Sequence, residues 1–287
     1  MTPLIVGEQH MRMRTSAELK RLAKEKLNDH YGVAMVATAL ALGIFVFVYI
    51  LIAVAFALYL IKNGFLSDPK GFLERIYDDP LFMIGEYAVA GVLSALSMTV
   101  FVGIIYICMK IDRGEEVFIK DLFYSFSHNP DKVIIIAIVL YLIGVVCMLP
   151  SLIVTRIAGP LMDTDAAGAM IFMLIYYLLY IAGIVAETLL SIVFSQVYIL
   201  YLISNDEPVQ DYFIKSAELM KDAKGRFLYL FLSFIGWNVL AVFTFGVLYI
   251  WLIPYECETM VLFHDELKRA RSLEPGQRIN IVIRDDR

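Results

Sequence analysis

Three residues in the stretch "YIWLIPYECETMVLFHDELK", Tyr249 to Lys268, are of types that do chemistry and sit badly in hydrocarbon: Pro254, Glu256 and Glu258. A proline inside a helix lacks the amide hydrogen, so Pro254 leaves the carbonyl of Ile250 without its helical donor and bends the chain. A freed carbonyl beside a carboxyl group is a polar notch, able to hydrogen-bond a headgroup, hold a cation or pass a proton. An acid at the bilayer centre costs about 2.5–3.5 kcal/mol on an insertion scale, so it must face a partner, a cavity or water. Glu187 is a second acid at depth. Gly183, Glu187, Ser191 and Ser195 recur every four residues, with Thr188 beside them, and small or hydroxyl-bearing residues let helices approach and bond. Asn238 and Gln196 are amides that need partners, and Pro150 frees the carbonyl of Val146 as Pro254 does that of Ile250.

Helical spacing puts Tyr249, Glu256, Thr259 and Phe263 on one face, with Trp251, Tyr255, Glu258 and Leu262 roughly opposite. Only one of the two glutamates points fully inward. The expectation is Glu256, with Glu187 as its intramembrane neighbour and Glu258 reaching toward the cytoplasmic headgroups. The candidate polar site is therefore Glu187, Ser191, Asn238, Pro254, Tyr255, Glu256, Glu258 and Thr259. The same residues fit either a buried cluster that only locks helices together or a site for a substrate or proton.

Nothing else in the chain points to catalysis. There is no phosphate-cradling glycine loop, no paired zinc-protease histidines and no nucleophile elbow, and His10, His30, His128 and His264 fall in tails, loops or span ends. Cys108, Cys147 and Cys257 read as small apolar fillers with no metal-ligand spacing. The outer acids Asp68, Asp78, Asp79, Asp163 and Asp165 match no calcium loop. The reading is of a protein without cofactor, metal or nucleic-acid partner; the absence of these motifs weighs against an enzyme, while intramembrane hydrolysis without a familiar motif stays an open alternative.

The elements that must position the acids are membrane helices. Hydrophobic side chains make up 60% of the 287 residues and charged ones 18%, against roughly 45–50% and about 25% in soluble domains. Six apolar runs are long enough to cross a bilayer: 33–61, 83–109, 133–155, 169–203, 227–245 and 247–264. Alternation is absent, so the class is all-α, a polytopic membrane protein. Amphipathic segments precede spans 1, 3 and 5. "TSAELKRLAKEKLNDHY" carries a capping box at Thr15 and Glu18; "EEVFIKDLFYSF" has Ile119, Phe123 and Phe126 at helical spacing; "DEPVQDYFIKSAELMKDAK" has Asp206 as a cap and Val209, Phe213, Ser216 and Met220 on one stripe. Of the 24 Lys and Arg, twenty fall on the side of these segments and four on the other, which places both termini in the cytoplasm. The chain divides into a cytoplasmic tail (1–14), a membrane domain (15–268) and a second cytoplasmic tail (269–287), the latter with a strand-like run at Ile279 to Ile283.

The carboxyl-terminal third resembles the bacterial integral membrane family filed as domain of unknown function 975. Ser216, Leu219, Met220 and Lys221, then Ser233, Phe234, Gly236 and Trp237, then Pro254, Tyr255, Thr259 and Phe263 carry the likeness, as does the opening "SAELKRLAKEKLNDHYG". Asp222 stands where that family more often has glycine, and His264 where it usually has tyrosine. The resemblance implies a multi-pass bacterial membrane protein and supplies no catalytic residues. The leading expectation is a plasma-membrane protein that handles a lipid, peptide or other amphiphile in a polar intramembrane notch, with membrane lipids as its surroundings. A scaffold that binds a partner membrane or cytoplasmic protein through its cytoplasmic helices, and a proton-coupled transporter, are the alternatives.

Overall fold

The computed structural model describes residues 13–158 and 166–272, and every regular element among them is helical. The strand-like run of the C-terminal tail and Asp163 and Asp165 lie outside the described residues. The chain opens with α1 (Ser16–Leu27). The long helices α2 (Tyr31–Lys62) and α4 (Pro80–Asp112) flank the short α3 (Pro69–Asp78). A 3₁₀ turn (Ile119–Phe123) and the one-turn α5 (Tyr124–Ser127) lead into α6 (Pro130–Ala158). Then come α7 (Ala166–Val193), α8 (Val197–Ile203), α9 (Val209–Leu219), α10 (Lys224–Leu232), α11 (Ile235–Phe243) and α12 (Tyr249–Ser272).

Among the described residues, five runs are long and apolar enough to cross a membrane: Tyr31–Lys62, Pro80–Asp112, Pro130–Ile157, Gly168–Ile203 and Lys224–Phe243. The expected sixth, 247–264, falls on the last turn residues before α12 and on most of α12, and is not among them, because its acids and the charged stretch that follows dilute its hydropathy. The fourth run is broken at Phe194–Gln196 and the fifth at Ser233–Phe234.

Local signals account for several helix starts. Thr15 accepts from the Glu18 amide and Glu18 reaches back to the Thr15 amide, the reciprocal cap expected for α1. Asp68 accepts from the amide of Gly71 and Asp79 from that of Leu81, so two of the outer acids serve as caps for α3 and α4. The second amphipathic segment differs from expectation. It folds as the 3₁₀ turn and α5, leaves Ile119, Phe123 and Phe126 exposed, and buries Leu122 instead. Leu122 packs its backbone against Gly103 of α4, where a Cβ would collide with it. Pro208, rather than Asp206, stands at the start of α9.

The core sits at one end of the bundle. It gathers Leu19 and Leu27 of α1, Ala34 to Ala41 of α2, Val102 to Ile111 of α4, Leu122, Ile136, Leu200, Tyr201, Met220, Phe227 and Leu252 to Leu267 of α12. Beyond Ala41, α2 buries nothing. Apolar side chains left exposed on such helices are solvated by lipid tails, which are as apolar as they are. The three amphipathic segments and the end of α12 interlock in this layer: Lys26 pairs with Asp112, Lys110 with Asp121 at 2.9 Å, Lys132 donates to the Glu207 carbonyl at 3.0 Å, and the Arg14 amide donates to Glu266 at 2.8 Å.

Candidate functional site

The proposed polar residues separate into distinct environments. Glu256 is half-buried on α12, and its Oε1 accepts from Asn238 Nδ2 of α11 at 2.7 Å. The same amide also donates to the Phe234 carbonyl, which fixes its orientation. Thr259 is fully buried and donates to the Tyr255 carbonyl at 2.7 Å. The Tyr255 ring meets Phe234 edge-on at 5.3 Å. Above this aromatic pair lies α1, with Lys20 Nζ 3.9 Å from the Phe234 ring centre and Lys24 Nζ 5.3 Å from that of Tyr255. Lys20 also donates to the Ser233 carbonyl at 2.9 Å, where the α10–α11 run breaks and leaves an acceptor open.

Glu256 and Thr259 line a cavity of about 400 Å³ with Ser191, Ser195, Phe101, Phe227, Phe231 and Phe234. That volume falls within the usual range of ligand pockets, about 300–1,000 Å³, and an apolar wall with a few convergent polar groups is their usual composition. Glu187 does not reach this cavity. It lines a more open cleft of about 500 Å³ between α4, α6 and α7, among Tyr141, Tyr176 and Tyr180, and faces Gly144 of α6. The expected Glu187–Glu256 neighbourhood is therefore corrected: the two acids face different cavities. Tyr198 lines both, and its buried hydroxyl has no hydrogen-bond partner among the described residues.

The orientation expected for Glu258 is also overturned. It is 0% exposed, and neither carboxyl oxygen has a hydrogen-bond partner among the described residues. Pro254 is buried, and its carbonyl accepts from Cys108 Sγ of α4 at 3.7 Å, so the kinked end of α12 packs on α4 instead of facing lipid.

A further polar node escapes the spacing argument because its members come from three separate helices. Ser216 of α9 donates to the Val193 carbonyl at 2.8 Å and accepts from the Gln196 amide at 3.3 Å, closing both backbone groups freed where α7 breaks from α8. Gln196 in turn accepts from His264 Nδ1 at 3.0 Å and donates to Ser195 at 3.0 Å. His264 is thus a core residue, not a solvated span end, and its Nε2 has no partner among the described residues. The sequence marks Gln196 by its amide, Ser216 by its stripe and His264 by its departure from the family, but nothing in the spacing joins the three.

At the end of α12, burial first and then the neighbouring Asp112 carboxyl push the Asp265 carboxyl up to about 6, with Lys268 and Lys26 opposing. An unfolded aspartate titrates near 3.9. Between about pH 4 and 6 the folded state holds a proton that the unfolded state has lost, so stability falls as pH rises through that window and levels off above it. Asp265→Asn is expected to flatten this fall in melting temperature, measured in detergent from about pH 4 to 7. An unchanged slope would assign the fall to other groups.

A family model described as Protein of unknown function (DUF975) matches residues 11–271. No curated protein and no solved structure matches the chain. With the model matched over residues 11–271, and with that segment taking in the five helices among the described residues that are long and apolar enough to cross a membrane, the chain belongs to the DUF975 family and is a membrane protein.

Proposed function

We propose that this is a bacterial plasma-membrane protein that binds a single-chain amphiphile in the cavity between α4, α7, α8, α10 and α12. The carrying observation is the wall itself. Four phenylalanines form an apolar sleeve, lined also by the Glu256 carboxyl held by Asn238, by Ser191, Ser195 and Thr259, and by Tyr198, whose hydroxyl has no partner among the described residues. An acyl or similar chain suits the sleeve, and a hydrogen-bonding or cationic headgroup suits the acid. Both ends of the described chain are cytoplasmic in this reading. Twenty positive residues against four support that orientation, as does the bond between Arg14 and Glu266, which puts the two ends on one side.

Native mass spectrometry of gently extracted protein tests the reading. The wild type is expected to carry an amphiphile adduct. Ser191→Phe, placed at an exposed position on the cavity wall, is expected to lower its occupancy on the order of tenfold or more while leaving the protein folded, because the ring fills the sleeve. Equal adduct on the two proteins would exclude this cavity as the site.

A further inference from the structure

We infer that α10, α11 and α12 form a hairpin that stays in the membrane leaflet on the α1 side, its apolar tip wedged among that leaflet's acyl chains, so that the chain crosses the bilayer four times. The crossings are then α2, α4, α6 and the α7–α8 run.

Depth markers on the hairpin carry the argument. Tyr31 is the first residue of the 32-residue α2, and its hydroxyl donates to the Trp251 carbonyl at 2.9 Å. Trp251 lies only five residues past Gly246, at the turn of the hairpin. A turn at the far face would therefore hold Trp251 within about 8 Å of that face, roughly 20 Å from the boundary where α2 enters a hydrocarbon core about 30 Å thick. The bond to Tyr31 excludes that geometry. A second contact agrees: Pro254, eight residues past the turn, meets Cys108, which precedes Asp112 at the α1-side end of α4 by only four.

The other arm of the hairpin lies at the same level. Arg226 Nη2 donates to the Arg14 carbonyl at 2.7 Å and Lys20 to the Ser233 carbonyl at 2.9 Å, so α10 runs beside α1. The pairs Arg14–Glu266, Lys24–Tyr255 and Tyr31–Trp251 run α12 antiparallel to α1 along most of its length. Since α1 exposes Lys20's neighbours Arg21, Lys24 and Glu25 to solvent, it belongs at the headgroup layer, and the helices alongside it cannot span the hydrocarbon.

The tip is nonetheless built for lipid. Val242, Phe243, Phe245 and Val247 are exposed, Phe245 by 97%. An apolar patch of this kind facing water is disfavoured by about 25 cal/mol per Å². The chain's two tryptophans, Trp237 and Trp251, flank the tip and are exposed, which suits the boundary of headgroups and tails. The charge asymmetry survives unchanged, because the loop between the fifth and sixth apolar runs carries no Lys or Arg.

The test places single cysteines in a background lacking Cys108, Cys147 and Cys257, at Asn63, at Asp222 and in a Gly-Ser-Cys-Gly-Ser insertion after Gly246 that carries the thiol to water on whichever side the tip approaches. An impermeant maleimide is applied separately to intact cells and to inside-out vesicles. The inserted thiol is expected to react from the side that labels Asp222 and not from the side that labels Asn63. Reaction from the side that labels Asn63 would restore a crossing hairpin and overturn the inference; should the insertion disturb folding, a nitroxide attached at Phe245→Cys is expected to collide with oxygen and be shielded from an impermeant nickel complex, whereas access by nickel from the side that labels Asn63 would overturn the inference. Tryptophan fluorescence, excited selectively over tyrosine, reports this hairpin alone, since both tryptophans lie in it. Brominated phosphatidylcholine vesicles are expected to quench it severalfold, and a lack of quenching would show that protein, not lipid, covers the tip.

Discussion

Ser216→Ala is expected to destabilise the folded protein by about 2–4 kcal/mol. The hydroxyl of Ser216 serves two backbone groups at once, donating to the Val193 carbonyl and accepting from the Gln196 amide across the break between α7 and α8. Ser216 and Gln196 are both fully buried, so no solvent replaces the lost oxygen. A buried polar group deprived of its partner costs about 1–3 kcal/mol, and here there are two. The loss also loosens the Gln196 side chain that holds His264, coupling α8 to α12. Thermal unfolding in detergent, read by the reactivity of the buried Cys108 and Cys257, measures the effect. Ser216→Cys, which keeps a weak donor of similar size, should fall between. A loss below about 0.5 kcal/mol for the alanine variant would show that the break is held by other contacts.

Glu258→Leu is expected to act in the opposite direction, raising stability by about 1–3 kcal/mol. The carboxyl lies at 0% exposure with neither oxygen bonded among the described residues, and the charges that act on it, Asp112, Lys26 and Asp265, do so only through space. Burying a polar group without a partner is unfavourable, and an apolar side chain of similar volume removes that term while keeping the buried space filled. Glu258→Gln should give little or no gain, since its amide also needs partners that the surroundings do not provide. Both variants can be followed by the same unfolding measurement. Destabilisation of the leucine variant by more than about 1 kcal/mol would mean that the carboxyl is held by a bond, and would make it a candidate for function.

Much of this molecule is written in local patterns. Thr15 and Glu18 cap α1 as their spacing requires, because a capping box needs only four consecutive residues. The limits of α2, α4 and α6 lie within a few residues of the apolar runs 33–61, 83–109 and 133–155, because exclusion of unpaired backbone groups from lipid makes long apolar runs helical wherever they lie. The family resemblance rested on the same contiguous stretches and holds over residues 11–271.

What depends on two distant segments was settled only by tertiary contact. Spacing alone divides Glu256 from Glu258 by about 200° around a helix, but which side faces a neighbour depends on where α1 and α4 lie; α12 is surrounded on both sides, so both acids are covered and Glu258 more fully. Glu187 and Glu256 stand at similar places in their own runs, yet Gly144 draws Glu187 toward α6 while Asn238 holds Glu256 on α11. Hydropathy likewise measures how apolar a segment is, not what covers it. The run 247–264 looks like a span on composition alone, yet Leu252, Glu258, Thr259 and Phe263 are buried against protein while Val247 and Trp251 stay exposed, and the bond from Tyr31 to Trp251 is what motivates the inference that the run does not cross.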